Sequence, residues 1–176
     1  LPFQSGNDRV LRAMNRHYDR AQYLELVRYA RSVIPDISFT SDVIVGFPGE
    51  TREEFEDTLS LVKEVGFTSL FTFIYSPRVG TPAASLPDPV SAETKVAWLQ
   101  ELNKLQESIS GERLARLVGT RQRALLENAG KDYLEARLPD NGVVRVNGDV
   151  SWIGHYAEIE IEDARSWVMH GHICHV

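Results

Sequence analysis

Residues 41–51, Ser-Asp-Val-Ile-Val-Gly-Phe-Pro-Gly-Glu-Thr, leave this chain few folds to choose from. A β-branched run, Val43-Ile44-Val45, is closed by Gly46, Pro48 and Gly49. Thr51 and Glu54 then form a capping box ahead of a helix with Phe55, Leu59 and Val62 on one face. A strand, a glycine turn and a helix N-terminus in that order are how α/β proteins bring backbone N–H groups and a strand-end carboxylate to a ligand.

The neighbouring segments repeat the alternation. Residues 1–4 read as a short apolar strand broken at Ser5-Gly6, followed by a short helix carrying Val10, Leu11 and Met14. A helix is predicted over 19–34, with Tyr23, Leu26, Val27, Ala30 and Ile34 at three- and four-residue steps and Pro35 as its stop. Strands are predicted over 37–45 and 69–75, on either side of a helix over 52–65 that Gly66 terminates. Three near-continuous apolar strands alternating with helices indicate a parallel sheet. Such a sheet is open on the side where the chain begins, and its unpaired edge is expected to favour self-association.

Four prolines in residues 76–89 mark an ordered loop. A long helix follows over 91–117. After Gly119 the pattern becomes five short strands, over 121–127, 133–138, 142–146, 156–161 and 167–174, read as antiparallel. Ala157, Ile159 and Ile161 alternate with Glu158, Glu160 and Glu162, one face in and one out. The fold expected is therefore α/β followed by all-β: residues 1–117 as a parallel sheet with its helices, ending in the connecting helix, and 118–176 as a small OB-like barrel. The chain starts at Leu1, without Met and inside what reads as a strand end, so it is expected to be a fragment.

With one cysteine, Cys174, the chain holds neither a disulfide framework nor a multi-thiolate metal site of its own, and a reducing, cytoplasmic setting is the default. No apolar run approaches the ~20 residues needed to span a bilayer, so no membrane partner is expected. The formal charge of −6 argues against a strongly basic nucleic-acid binder.

Three polar residues gather near the predicted strand ends: Gln4, Arg16 and Asp42. An amide, a guanidinium and a carboxylate at the rim of a parallel sheet suit one small polar ligand. A surface Arg–Asp pair beside a capping Gln explains the same spacing. In the loop, Arg78 fits a phosphate or substrate contact, or equally an ion pair that locks the loop. His170, His172 and Cys174 alternate on one strand with His175 beside them. A metal site there needs a ligand from elsewhere in the fold, and none is expected.

Taken together, Gln4-Ser5-Gly6, Met14-Asn15-Arg16, Asp42-x-Ile44-x-Gly46-Phe47-Pro48-Gly49-Glu50-Thr51 and Tyr75-Ser76-Pro77-Arg78-x-Gly80-Thr81-Pro82-Ala83-Ala84 resemble radical S-adenosylmethionine enzymes of the methylthiotransferase group. The last segment looks like the β-barrel RNA-binding (TRAM) domain that ends them. The resemblance implies the last three strands of a partial (β/α)6 barrel. It implies that Gln4, Arg16 and Asp42 contact the ribose and methionine parts of S-adenosylmethionine, and that the backbone at Ile44 and Ser76 approaches the adenine. With tRNA as the partner, at the anticodon stem-loop, the candidate contacts are Arg78 in the loop and Arg121, Arg123, Lys131, Arg137, Arg145 and Arg165 on the barrel.

The same resemblance implies [4Fe–4S] clusters whose cysteines are absent here, a reductant protein to feed them, and an isolated chain without activity. Phe73-Ile74-Tyr75-Ser76-Pro77-Arg78 favours the branch that converts N6-isopentenyladenosine in tRNA to its 2-methylthio derivative. The alternatives are the branches acting on threonylcarbamoyl-adenosine or on a ribosomal protein, and a module that only docks RNA. For RNA binding the composition is unhelpful: nine acidic residues follow Val118 against six basic ones, so any RNA face must be asymmetric. Trp152, Tyr156 and Trp167 suit base stacking, though packing is the favoured reading.

Overall fold

A computed structural model describes residues 1–165 and 167–176. They form two compact units, Leu1–Ile109 and Ser110–Val176.

The first unit is built on a parallel pair, β1 (Thr40–Val45) and β2 (Ser69–Ile74), in the register Asp42↔Phe71 and Ile44↔Phe73. The third strand expected at residues 1–4 is reduced to one isolated parallel bridge, Gln4↔Val43. Its cause is local. Gln4 takes a left-handed backbone (φ 65°) and the chain then turns sharply onto the helix that follows β1. There Gly6 donates its N–H to Thr58 Oγ1 at 2.9 Å, and a Cβ at Gly6 would lie 2.4 Å from the Asp57 carbonyl oxygen. Only glycine admits that approach.

Helix α1 (Asp8–Ala13) is capped by Asn7, and α2 (Arg20–Val33) by an Asp19–Gln22 capping box. Helix α3 (Arg52–Val65) has the predicted Thr51–Glu54 box and ends on Gly66 at φ 61°. The core gathers Phe3, Tyr23, Val27, Val43, Val45, Phe55, Val62 and Phe67 with Trp98 and Leu102 of α4 (Ala92–Ala115). Phe55 stacks on Trp98 with centroids 5.0 Å apart, and Phe3 on Phe67 at 5.3 Å. Leu26 and Ile34, expected on the buried stripe of α2, are instead exposed. The periodic stripe is wider than the face that Tyr23 and Val27 press into the core.

The second unit is a closed five-stranded barrel: β3 (Arg121–Ala129), β4 (Leu134–Arg137), β5 (Val143–Val146), β6 (Tyr156–Arg165) and β7 (Val168–His175), ordered β3-β4-β5-β7-β6. The OB-like expectation stands, with one correction: β5 and β7 pair in parallel. Hydrophobic alternation sets which face is buried but carries no information on strand direction. Inward residues, including Ala124, Leu126, Val144, Ile159, Ile161 and Met169, fill the interior. No described helix is long and apolar enough to cross a membrane.

Candidate functional site

The strand-end turn after β1 is held from within. Gly46 and Gly49 both have positive φ (70° and 73°), which folds Glu50 back beneath the strand end. Its carboxylate Oε2 accepts the N–H of Gly46 at 2.6 Å and of Phe47 at 3.2 Å. Glu50 is only 2% exposed, and its second oxygen, Oε1, is buried without a hydrogen-bond partner among the described residues. Burial pushes this carboxyl up to about 7, against the opposing effect of the two backbone donors. Capping of the next helix falls to Thr51 and Glu54, and Glu54 also pairs with Arg9.

Two further contacts brace the turn. The stem of Lys95, itself buried and paired with Asp88, crosses over Gly46, where a Cβ would lie 2.5 Å from its Cγ. Phe47 meets the edge of Tyr75 at 5.2 Å, and Tyr75 donates its N–H to the Val45 carbonyl, carrying the β1–β2 pairing past the end of β2.

Above this turn the sheet has two different faces. Ser41, Val43 and Val45 are buried. Asp42 and Ile44 alternate with them onto the other face, where their register partners Phe71 and Phe73 are 58% and 53% exposed. A half-buried carboxylate is thus set beside an open apolar wall. Gln4 lies next to it in the chain of bonds: its N–H donates to the Asp42 carbonyl, and Ile44 donates to the Gln4 carbonyl, both at 3.0 Å.

Arg16 is exposed beyond α1, placed there by the left-handed turn at Asn15 (φ 58°). Among the described residues neither Arg16 nor Asp42 enters an ion pair, so the simple surface-pair explanation does not describe them. Ser76 is exposed just past the end of β2. Arg78 has no ion pair among the described residues either: its carbonyl, which accepts from Thr81 N–H and Oγ1–H, organises the loop, and the residue is exposed.

On the barrel, Arg123 lies over the Tyr156 ring and Arg145 over the Tyr133 ring, each at 4.4 Å from the centroid. Arg145 also approaches Glu135 at 3.7 Å, and its Nε is buried without a described partner. Arg121 pairs with Glu160 at 3.3 Å, while Lys131 is exposed in the β3–β4 turn. Tyr156 and Trp167 are 56% and 52% exposed and Trp152 lies at the surface with its ring against Gly148, so none of these rings is in the core. The stacked Arg–Tyr pairs were not predicted, because they join residues remote in sequence.

Comparison with known proteins matches residues 1–62 to the radical SAM superfamily and 115–174 to the TRAM domain. The chain is 46% identical to the tRNA-2-methylthio-N(6)-dimethylallyladenosine synthase of Neisseria gonorrhoeae (strain NCCP11945), over 98% of this chain and 40% of that protein. Proteins of the same name from Coxiella burnetii (strain RSA 331 / Henzerling II) and Thermoanaerobacter sp. (strain X514) are 45% and 44% identical, over 99% and 100% of this chain. The matches cover 40% and 38% of those two proteins, so the chain spans about two fifths of the relatives it resembles.

Proposed function

We propose that this chain, a radical SAM segment followed by a TRAM domain, forms part of a tRNA methylthiotransferase that converts N6-isopentenyladenosine to its 2-methylthio derivative. The observation that carries the proposal is the open face of β1 and β2, where Asp42 and Ile44 stand beside Phe71 and Phe73 above the braced Gly46–Glu50 turn.

The donor set suits S-adenosylmethionine. That ligand carries an ammonium, a carboxylate, ribose hydroxyls and an adenine. Asp42, free of any described ion pair, suits the ammonium, and the exposed Arg16 suits the carboxylate. Gln4 offers an amide to the ribose. The backbone at Ile44 and Ser76, with Phe71 and Phe73 nearby, suits the flat adenine. When bound and reductively cleaved, S-adenosylmethionine supplies a carbon radical able to take hydrogen from C2 of the modified adenine. The residues here bind and orient it. The turn below them is braced by the hydrogen bonds to Glu50, which favours a fixed place for Asp42.

A [4Fe–4S] centre does not fit this chain. Such clusters take several thiolates, and Cys174 is one exposed thiol on a barrel strand. Its ligands would come from residues outside the 176 described by this sequence, and the chain by itself is proposed to be inactive.

The TRAM barrel would hold the tRNA. Exposed Tyr156 and Trp167 supply stacking surfaces, and Arg123, Arg145, Lys131 and Arg121 supply charge, in a unit otherwise net negative. The pocket assignment is tested by Asp42→Ala in the whole enzyme, read as S-adenosylmethionine affinity. A loss of tenfold or so is expected for one charge-assisted contact; unchanged affinity rejects it.

A further inference from the structure

Strand β7 carries a second constellation that the proposed methyl-thiolation does not use. Met169 is buried in the barrel, and the alternation puts His170, His172 and Cys174 on the outer face. The antiparallel neighbour β6 turns Glu158, Glu160 and Glu162 to the same side, and Glu160 is the register partner of His172. That pair lies in the short regular stretch between two β-bulges, which isolates it from the rest of the ladder.

The missing partner for the His–Cys strand is therefore supplied across the sheet. One ligand atom each from Glu160, His172 and Cys174 lies within 4.8 Å of the others. His172 Nδ1 sits 2.7 Å from Glu162 Oε1, which fixes the imidazole and leaves Nε2 as the nitrogen able to bind a cation. A carboxylate behind a histidine is the usual outer support of a metal-bound imidazole.

We propose that Glu160, His172 and Cys174 bind a zinc ion, with water as the fourth ligand and Glu162 as the positioning residue. Thiolate, imidazole and carboxylate together suit this borderline-soft ion better than calcium or magnesium, which take oxygen ligands. Donor atoms around tetrahedral zinc stand roughly 3.3–3.8 Å apart, given bond lengths of about 2.0–2.3 Å. The cluster has only to tighten by about 1 Å, within reach of side-chain rotation at this exposed surface. Binding replaces the Cys174 thiol proton by the metal and releases that proton to solvent. The Arg121–Glu160 contact, 3.3 Å with the arginine two-thirds exposed, is weak and occupies one carboxylate oxygen. Zinc would clip the last strand to β6.

The test is a titration of the tag-free chain with Zn²⁺ against a chromophoric chelator, repeated with Co²⁺ to report thiolate coordination. One ion per monomer is expected, with a thiolate-to-cobalt absorption band that Cys174→Ser removes. Zinc affinity should fall about tenfold or more in His172→Ala and Glu160→Gln, and about tenfold in Glu162→Gln. Zinc should also raise the melting temperature of the wild type but not of His172→Ala. Circular dichroism of the metal-free variants checks that they fold, and Arg121→Ala, which keeps every ligand, should bind at least as tightly as the wild type. Binding that His172→Ala or Glu160→Gln leaves unchanged overturns the site. So does a stoichiometry of half an ion per chain, which means bridging between copies.

Discussion

Glu50 Oε2 accepts the Gly46 N–H at 2.6 Å, so the carboxylate at the end of the turn holds the end of the strand that precedes it. The Glu50 side chain, buried and with one oxygen unpartnered among the described residues, braces the turn and also gives it a pH dependence.

The folded carboxyl titrates at about 7, above its ordinary 4.5. Below pH 4.5 both folded and unfolded chains carry the proton. As pH rises the unfolded chain loses it first, so stability falls between about pH 4.5 and 7 and then levels. The full change is about 3 kcal/mol for a shift of this size. Glu50→Gln should flatten this part of the urea-midpoint profile; a slope unaltered by the substitution means that another group titrates.

Gly46→Ala should destabilise the chain by about 2 kcal/mol or more, from the left-handed backbone and from the meeting with Lys95. Shortening the stem in the Gly46→Ala/Lys95→Ala double variant should relieve only the steric part, visible as a non-additive urea midpoint. Full additivity would mean that the Lys95 stem plays no part.

Thr51→Ala removes the oxygen that accepts the Glu54 N–H and should cost about 1 kcal/mol in thermal or urea unfolding. Substituting Ser should restore most of it. A loss that Ser does not recover would point to packing instead of capping.

For the barrel, Arg123→Ala and Arg145→Ala should each weaken binding of an anticodon stem-loop several-fold at low salt and lower the salt slope by about one where a phosphate contact is lost. Binding by filter retention across a salt series separates the two effects. Equal affinity and slope in both variants would place the RNA elsewhere.

Local chemistry made the first unit readable. Helix α3 was predicted with its observed bounds because its start, Thr51–Glu54, and its stop, Gly66, are both encoded within a few residues. The strand over 1–4 shrank to a bridge because its end depends on a close approach to Thr58, far away in sequence. Nothing local in the sequence pairs Glu50 with Gly46, and only the folding back of the 46–49 turn aims its carboxylate there. In the barrel, inward and outward residues followed from alternation, whereas the parallel β5–β7 pair did not. Nor did the Glu160–His172 pairing, since a strand pattern does not name its neighbour.

The most direct measurement is mass analysis of nucleosides from tRNA bearing N6-isopentenyladenosine, after anaerobic incubation with S-adenosylmethionine, a reductant, a sulfur source and the whole enzyme containing this chain. The isopentenylated adenosine is expected to gain the mass of a methylthio group in place of one hydrogen, and Asp42→Ala to suppress the gain. An unaltered nucleoside, with threonylcarbamoyl-adenosine or a ribosomal protein modified in its place, would contradict it.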